Sequence, residues 1–143
     1  MKRTVQNIID VKGSDVWSID ADASVFEALE FMADKNIGAV IVVHGGELVG
    51  IMSERDYARK IILMARLSKK TKVSEIMTPD PVVVSPAETV VSCMQRMTDN
   101  RFRHLPVIDD GELVGLISIG DVVSAVIDEQ AFLIDQLESY ITG

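Results

Sequence analysis

Several features that define common protein classes are scarce or missing in this 143-residue chain. It has one cysteine, Cys93, so no disulfide can form within the chain. Its longest uninterrupted aliphatic run, from Ala39 to Val43, is far shorter than the roughly 20 residues that a membrane-spanning helix needs. The first residues, MKRTVQNIID, lead into no apolar segment of the kind found in a signal peptide. We therefore expect a globular, cytoplasmic protein without a membrane segment.

Positive charge is also scarce. The sequence has 14 lysine and arginine residues against 22 aspartate and glutamate residues, which gives a net charge of −8 at pH 7. The one basic cluster, RLSKKTK at 66–72, follows a predicted helix and is typical of a helix end and a linker. A protein with this charge repels polyanions, so the composition argues against nucleic acid as a partner.

Motifs of catalytic and metal sites are missing as well. The two histidines, His44 and His104, are far apart in sequence, and no cysteine or carboxylate spacing resembles a metal site. The chain has no glycine-rich phosphate loop of the Walker or Rossmann type. Ser118, His104 and Asp121 lack the nucleophile elbow of a serine hydrolase. We therefore expect neither catalysis nor a required metal.

An internal duplication is the main feature that the sequence does contain. A constant offset of 65 residues aligns residues 16–62 with residues 81–127 without a gap. The strongest match lies between GELVGIMSERD at 46–56 and GELVGLISIGD at 111–121. Outside these segments few residues are identical, but apolar positions still align with apolar positions. The chain is therefore a tandem repeat of one fold.

Each copy predicts the order strand, helix, strand, strand, helix, which gives an α+β fold of tandem βαββα repeats. In the first copy, periodicity and turn residues predict a strand at 16–19, a helix capped by Ser24, hairpin strands at 38–43 and 48–52, and a helix from Ser53 to about Leu67. In the second copy, they predict a strand at 82–84, a helix at 89–100, hairpin strands at 105–108 and 113–117, and a helix that starts at Ser118.

A lead-in segment precedes each copy, and an apolar helix follows the second. VQNIID at 5–10 has apolar residues at the places where VSEIMT at 73–78 has them. We therefore assign residues 5–67 to repeat 1, residues 73–128 to repeat 2 and residues 129–143 to a C-terminal helical extension. The extension ends at Gly143 and carries an apolar stripe of Phe132, Ile134, Leu137 and Ile141. Such a stripe is typical of a packing or dimer surface.

Neither repeat is large enough to be expected to fold alone. A unit of roughly 60 residues buries too small a share of its surface, so we expect the two repeats to pack on each other. Duplicated halves usually pack about a pseudo-twofold axis, which would place equivalent loops beside one another. We therefore expect a cleft between the repeats and expect the duplicated segment to act there.

The Ser-x-x-Asp ending of both segments allows two interpretations. Ser53 with Asp56, and Ser118 with Asp121, match a capping box, in which both side chains satisfy backbone N–H groups at a helix start. Aspartate is shorter than the glutamate or glutamine that this box prefers, however, and the pattern occurs twice. A helix N-terminus with a hydroxyl nearby attracts phosphate, and a carboxylate on the first turn can accept two hydrogen bonds from a ribose diol. We favour a nucleotide site that retains the cap.

Several linked motifs give the chain a family resemblance. The duplicated βαββα unit, the two GELVG segments, the lead-in VSEIMTPDPVVVSP and the hairpin sequence RHLPVIDDG together resemble the cystathionine-β-synthase (CBS) domain pair, or Bateman module. The resemblance covers residues 5–128. It implies two clefts per pair that bind adenine nucleotides or related adenosyl ligands, and homodimers of such pairs. We expect a stand-alone member of this family.

The resemblance also implies a residue set for each cleft. In the first, Asp56 would bind the ribose hydroxyls and Ser53 would lie near the ribose or phosphate, while adenine would lie against Thr78, Val82, Phe102 and Arg103. In the second, Asp121 and Ser118 would take these roles, and adenine would lie against Lys12, Val16, Trp17 and the backbone of Ile37, Gly38 and Ala39. The small side chains of Gly38 and Ala39 permit close approach of a flat base, although they are equally typical of tight packing.

The two copies differ between the shared serine and aspartate. Glu54 and Arg55 in the first become Ile119 and Gly120 in the second. Arg55, at a helix start, can contact phosphate. At the positions of Asn36, Gly38 and Ala39, the second repeat has the cationic residues Arg101, Arg103 and His104. These three side chains are either solvated at a strand edge or placed to contact phosphate, and we favour the phosphate contact.

The leading functional hypothesis is a regulatory sensor that binds an adenine nucleotide and signals to a partner protein that the sequence does not identify. AMP is the first candidate ligand, and ADP, ATP and S-adenosylmethionine are further ones. NAD is the main chemical alternative, because Trp17 could stack on a ring and the arginines could accept a second phosphate. Trp17 is equally typical of packing. The rival hypothesis is a dimeric interaction scaffold that binds no ligand.

Overall fold

The structure, a computed structural model, describes residues 2–13 and 15–142. The helices are α1 (Val5–Lys12), α2 (Val25–Lys35), α3 (Glu54–Tyr57), α4 (Val73–Ile76), α5 (Val90–Asn100) and α6 (Ile119–Thr142). The strands are β1 (Ser18–Asp20), β2 (Ala39–His44), β3 (Glu47–Ser53), β4 (Thr78–Pro79), β5 (His104–Asp109) and β6 (Glu112–Ser118). A π-helical turn (Ala58–Ile62) and a 3₁₀ turn (Ser68–Lys70) complete the elements. The predicted α+β class is confirmed.

These elements form two compact units. The first unit is Val16–Val82, and the second unit combines the N-terminal segment up to Asp15 with the chain from Val83 onward. Among the described residues, no helix has both the length and the hydrophobicity that crossing a bilayer requires. The predicted pseudo-twofold packing of the repeats stays a prediction.

The first unit contains a four-stranded sheet in the order β1-β2-β3-β4. Strand β1 runs parallel to β2, and β2 and β3 form the predicted hairpin. Gly45 and Gly46 both adopt positive φ angles in its turn, which glycine does without a steric penalty. Helices α2 and α4 bury their apolar faces with the sheet in one core, which includes Val25, Ala28, Met32, Val40, Val42, Met52, Val73 and Ile76.

The second unit contains the predicted hairpin of β5 and β6 with helices α1, α5 and α6. Its buried apolar side chains include Val5, Ile8, Val90, Cys93, Met97, Leu105, Ile117 and Val122. The strand predicted at 82–84 is wrong, because only Val84 forms a single parallel bridge, to Val107. Pro81 and Pro86 flank this segment, and proline has no N–H group to extend a ladder.

The lead-in helices are exchanged between the repeats. In the second unit, the N–H groups of Val5 and Gln6 donate to the carbonyl oxygens of Glu88 (2.9 Å) and Pro86 (2.9 Å). In the first unit, the N–H groups of Val73 and Ser74 donate to the carbonyl oxygens of Ala23 (2.8 Å) and Ala21 (3.0 Å). These bonds match one for one under the repeat alignment. Each unit is therefore completed by the helix that precedes the other repeat in sequence.

The helix after Ser53 is much shorter than the sequence predicts. Helix α3 and the π-helical turn end at Ile62, not at about Leu67. Ala65 adopts a left-handed conformation (φ 53°), and the N–H group of Arg66 closes back on the carbonyl oxygen of Ile61 at 2.9 Å. This is the geometry of a Schellman-type helix stop. The predicted helix from Ser118, by contrast, is confirmed as the 24-residue α6, and Gly143 lies outside the described residues.

Candidate functional site

The first Ser-x-x-Asp segment forms a capping box at the junction of β3 and α3. The Asp56 N–H group donates to Ser53 Oγ at 3.2 Å, and the Ser53 N–H group donates to Asp56 Oδ2 at 3.0 Å. The Ser53 hydroxyl donates to the same Oδ2 at 3.1 Å. The capping interpretation is therefore confirmed for this segment.

The carboxylate of Asp56 is buried, and both of its oxygens are engaged. Oδ2 accepts the two bonds from Ser53, while Oδ1 accepts a hydrogen bond from Thr78 Oγ1 at 3.2 Å and lies 3.3 Å from Lys60 Nζ. Lys60 Nζ also donates to the carbonyl oxygen of Ile76 at 2.9 Å. A carboxylate offers about four acceptor positions, so a ribose diol would have to displace Thr78 or Lys60 from Oδ1.

The absence of a side chain at Gly50 allows Thr78 to lie close to Asp56. Gly50 pairs with Pro79, and Ile51 pairs with Thr78, where β3 meets β4. A Cβ atom on Gly50 would lie 2.8 Å from the carbonyl oxygen of Thr78 and 2.6 Å from Met77 Sδ. Only a residue without a side chain fits this position. The glycine of the first GELVG segment thus helps to position Thr78 beside Asp56.

The second Ser-x-x-Asp segment forms the same reciprocal bonds between β6 and α6. The Ser118 N–H group donates to Asp121 Oδ2 at 2.8 Å, and the Asp121 N–H group donates to Ser118 Oγ at 3.1 Å. Lys12 Nζ lies 2.7 Å from the same Oδ2 and donates to the carbonyl oxygen of Leu116 at 2.9 Å. Burial raises the pKa of Asp121, but the hydrogen bonds from Lys12 and Ser118 lower it by more, so this pKa lies below its ordinary value.

The carboxylates of Asp56 and Asp121 differ in how far their oxygens are already engaged by hydrogen bonds. Asp56 uses both oxygens within its own unit. Lys12 Nζ and the Ser118 N–H group both reach Oδ2 of Asp121, and neither of these bonds occupies Oδ1. The Asp121 side chain is 25% exposed against 12% for Asp56. Asp121 is therefore the better placed of the two to accept hydrogen bonds from a ligand.

Three residues predicted for the second cleft lie next to Ser53 in the first unit. Ala39 pairs with Ser53 across the hairpin, and the Glu54 N–H group donates to the carbonyl oxygen of Gly38 at 3.1 Å. Ile37 and Gly38 line a pocket of about 230 Å³, together with Leu29, Met32, Ala33, Asn36 and Glu54. The pocket thus opens beside the first segment, not among the residues of Asp121's own unit.

The cationic residues of the second repeat lie next to Ser118. His104 pairs with Ser118 at the start of the hairpin, and the Ile119 N–H group donates to the carbonyl oxygen of Arg103 at 2.8 Å. Arg103 is exposed, while Phe102 and His104 are partly buried. Arg101 ends α5 in a left-handed conformation with φ 58°, as Asn36 ends α2 with φ 55°.

Trp17 has partners within the first unit. Its ring contacts Phe31 edge to face, with centroids 6.2 Å apart, and Lys35 Nζ lies 4.5 Å from its centroid. These contacts favour the packing interpretation of Trp17 over base stacking. Val16 and Val82, at the two ends of the unit, are both partly buried, and Arg55 is exposed on α3.

Each predicted residue set draws on both units. The first set has Ser53, Arg55, Asp56, Thr78 and Val82 in the first unit and Phe102, Arg103 and His104 in the second. The second set has Lys12, Ser118 and Asp121 in the second unit and the stretches 16–17 and 37–39 in the first. The structure brings together Asp56 with Thr78, and Asp121 with Lys12. The clefts themselves stay a prediction.

Two features of these sites were not predicted. The family resemblance implied that Lys12 lies against adenine, whereas the structure places its ammonium on the carboxylate of Asp121. Lys60 was not predicted as a partner of Asp56, although a spacing of four residues on a helix is a signal for such a pair.

A group of potential metal ligands lies elsewhere in the first unit. The parallel pairing of β1 with β2 brings Asp20, Asp22 and His44 together, with ligand atoms within 4.8 Å of one another. The sequence analysis did not predict this group, because His44 lies 22 positions beyond Asp22 and joins the two aspartates only through the strand pairing. All three side chains are exposed, and Lys72 Nζ lies 3.7 Å from Asp22.

Comparison with known proteins supplies the remaining observations. The model of the CBS domain family matches residues 8–63 and again residues 73–128. The CBS domain-containing protein CBSX3, mitochondrial, of Arabidopsis thaliana is 47% identical over 136 residues, which are 92% of this chain and 66% of that protein. Two further Arabidopsis relatives are longer still, and the chain spans 21% and 22% of their lengths.

Two solved structures extend the comparison. A crystal structure of a CBS domain is 45% identical and superposes with a TM-score of 0.83, covering 89% of this chain and 99% of the other. CBSX2, solved in complex with AMP, is 26% identical with a TM-score of 0.70, covering 90% of this chain and 98% of the other.

Proposed function

Because the chain belongs to the CBS domain family, we propose that it is a non-catalytic regulatory module that binds an adenine nucleotide. AMP is the first candidate, since the related CBSX2 binds AMP. The module signals to a partner protein, and its location in the cytoplasm is part of the same proposal. One relative, CBSX3, is named as mitochondrial, so the location of this protein in the cell should be measured directly.

The observation that carries the proposal is the carboxylate of Asp121. Its Oδ2 is fixed by the Ser118 N–H group and Lys12, so the side chain is held in one orientation. Neither of these two bonds occupies Oδ1, and the carboxylate, whose pKa lies below its ordinary value, is ionised at neutral pH. A preorganised, ionised acceptor is suited to a ribose diol, because hydrogen bonds to a charged group are the stronger ones.

Lys12 gives the module a route for signalling. Its ammonium bridges Asp121 on α6 and the carbonyl oxygen of Leu116 on β6, while its backbone belongs to α1. A ligand bound to Asp121 competes with the Lys12 ammonium for the carboxylate and so weakens this bridge. Ligand binding therefore alters how α1 is held against β6 and α6, and these helices present the result to the partner protein.

The site at Asp56 fills less readily in this proposal. A diol must compete there with Thr78 and Lys60 for Oδ1, and both are already in contact. Asp121 consequently governs the tighter binding event and Asp56 the weaker one.

Isothermal titration of the full chain tests the proposal. AMP, ADP, ATP, NAD and S-adenosylmethionine are titrated into the natural protein, Asp121→Asn, Asp56→Asn and the control Asp135→Asn, which changes an exposed carboxylate of α6. Asp121→Asn is expected to weaken AMP binding roughly 10- to 100-fold, because a hydrogen bond to a charged group contributes about 1.5–3 kcal/mol. Asp56→Asn should weaken only the second event, and Asp135→Asn should change nothing.

Two outcomes speak for other functions. NAD binding tighter than AMP binding would favour the NAD sensor. No heat and no thermal shift with any of the five ligands would remove the nucleotide proposal and favour the dimeric scaffold, for which the exposed apolar side chains of α6 are the specific support.

A further inference from the structure

The carboxyl ends of β1 and β2 bring together two carboxylates and an imidazole. Asp20 ends β1, Asp22 follows in the turn that leads to α2, and His44 ends β2. Their ligand atoms all lie within 4.8 Å of one another. Bonds of about 2.0–2.2 Å to a shared ion would place these atoms roughly 3.5 Å apart. Small rotations of the exposed side chains therefore suffice for all three to reach one ion.

The backbone of the first unit fixes the positions of these residues. Asp20 pairs with Val43 in the parallel ladder, which places His44 beside the turn after β1. The N–H group of the buried Ala21 donates to the carbonyl oxygen of Val43 at 2.9 Å. The Asp22 N–H group donates to Asp20 Oδ1 at 2.8 Å, and this bond does not occupy Oδ2. Ligands that are already held in place lose little conformational entropy when an ion binds.

The second repeat shows that the shared fold does not require this set of side chains. The counterparts of Asp20, Asp22 and His44 at the repeat offset of 65 are Ser85, Ala87 and Asp109. Both copies keep the parallel contact of this segment, through Ile19 with Val42 in β1 and β2 and through Val84 with Val107 in the second copy. The same backbone contact thus carries two carboxylates and an imidazole in one copy and a single carboxylate in the other. The three ligands are a property of the first copy and not of the fold.

The charges around the group also favour a cation. Glu47 pairs with His44 across the hairpin and adds negative charge to that of Asp20 and Asp22. Lys72 Nζ lies 3.7 Å from Asp22 Oδ1, and the two side chains are 61% and 60% exposed. An exposed ion pair of this kind is weak, so Lys72 can leave Asp22 when a divalent ion arrives.

The ligand types select the class of ion. Imidazole together with carboxylate suits Zn²⁺ and neighbouring transition ions, whereas Ca²⁺ and Mg²⁺ prefer sites built from oxygen alone. Zn²⁺ held by three protein ligands keeps a fourth position for water. We propose that Asp20, Asp22 and His44 bind one divalent transition-metal ion, with Zn²⁺ as the first candidate.

This site is separate from the nucleotide site of the same hairpin and does not rest on the proposed function. His44 and Ala39 stand at opposite ends of β2, and Ala39 is the residue that pairs with Ser53. Five steps along a strand span roughly 16 Å. The ion ties the turn after β1 to the turn of the hairpin. Because it binds the folded chain, it should raise the thermal midpoint of unfolding.

Isothermal titration of Zn²⁺ into the full chain tests the site. The protein is prepared without a histidine tag and dialysed against a chelator, and it is expected to bind one ion per chain. His44→Gln and Asp22→Asn should each weaken binding roughly 10- to 100-fold or more, since even residues that only orient metal ligands contribute that much. The matched control is Asp109→Asn, which changes the exposed counterpart of His44 in the second repeat and should bind like the natural protein.

Two further measurements guard against loss of fold and locate the ion. Lys72→Gln should tighten Zn²⁺ binding roughly fivefold, because it removes a positive charge beside Asp22. Misfolding cannot produce such a gain. The chain has only two histidines, so the ring signals in a nitrogen-15 NMR spectrum distinguish them. Zn²⁺ should shift the signals of His44 and leave those of His104 in place.

Each outcome supports or overturns the proposal. Natural protein that shows no saturable Zn²⁺ binding overturns it, as does binding that His44→Gln and Asp22→Asn leave unchanged or that Asp109→Asn weakens equally. A shift of His104 without one of His44 also overturns it. Tighter binding of Ca²⁺ or Mg²⁺ than of Zn²⁺ overturns the class of ion. Zn²⁺ binding by a protein that binds no AMP contradicts only the proposed function, and the reverse result contradicts only this inference.

Discussion

Gly50 and Gly115 occupy the same place in the two GELVG segments but have opposite surroundings, which makes alanine at each a matched pair of perturbations. A Cβ atom on Gly50 would lie 2.8 Å from the Thr78 carbonyl oxygen and 2.6 Å from Met77 Sδ. The methionine side chain can move, but the carbonyl oxygen belongs to β4. A Cβ atom on Gly115 would meet Ile9 Cδ1 at 3.5 Å and Val107 Cβ at 4.0 Å, which are ordinary contacts.

The expected magnitudes follow from these distances. Overpacking of a tight site costs about 1–3 kcal/mol, so we expect Gly50→Ala to lower the free energy of unfolding by about 2 kcal/mol. The displaced backbone should also pull the Thr78 hydroxyl away from Asp56, 3.2 Å distant. Gly115→Ala should be neutral or stabilise by up to about 1 kcal/mol, because alanine restricts the unfolded chain.

Urea unfolding followed by circular dichroism measures the difference. Both variants should keep the natural slope of free energy against urea concentration. Gly50→Ala should lower the thermal midpoint by about 4–8 °C relative to the natural protein, and Gly115→Ala should not. Thr78→Val serves as a control, because it removes the hydroxyl without moving the backbone. Equal midpoints for the two alanine variants would refute the argument that β4 closes tightly on Gly50.

Three other predictions concern single groups. The pKa of Asp121 is lower in the folded protein than in the unfolded chain, so its ionisation stabilises the fold at pH values above the unfolded pKa, and this stability is lost as pH falls through the folded pKa. Asp121→Asn should therefore make the free energy of unfolding less dependent on pH below about pH 4. An unchanged pH dependence in that range would contradict this. Ala65→Gly should raise the free energy of unfolding by about 0.5–1 kcal/mol, because Ala65 is left-handed, and Ala58→Gly in the adjoining helix should lower it. Burial raises the pKa of Cys93 to about 11, so a thiol reagent at pH 7 should react only as fast as the protein unfolds; rapid reaction of the folded protein would show that the group is accessible.

Local signals predicted most elements because their cause is local. The cap at Ser24, the hairpin turns and the apolar periodicity of α2 and α5 each depend on neighbouring residues, and all are present. The early end of the helix after Ser53 was missed, since a left-handed alanine carries no sequence signature of the kind that glycine provides.

The candidate sites were predictable only in part. The reciprocal bonds of Ser53 with Asp56 follow from a three-residue spacing. The ammonium of Lys12 reaches Asp121 across 109 positions of sequence, so only the fold could reveal it. The same holds for Thr78, whose distance from Asp56 depends on a glycine in the neighbouring strand.

The exchange of α1 and α4 has a consequence for how this gene can be divided. A fragment that ends at residue 67 would contain α1 without the segment that α1 completes, and would lack Val73 and Ile76, which are fully buried in the core of the first unit. Deleting either copy with its lead-in therefore removes a helix from the unit that remains. Cuts that keep each unit whole would instead fall between Asp15 and Val16 and between Val82 and Val83. Removing one copy together with its own lead-in therefore never leaves a complete unit, because the unit that remains needs the lead-in that was removed.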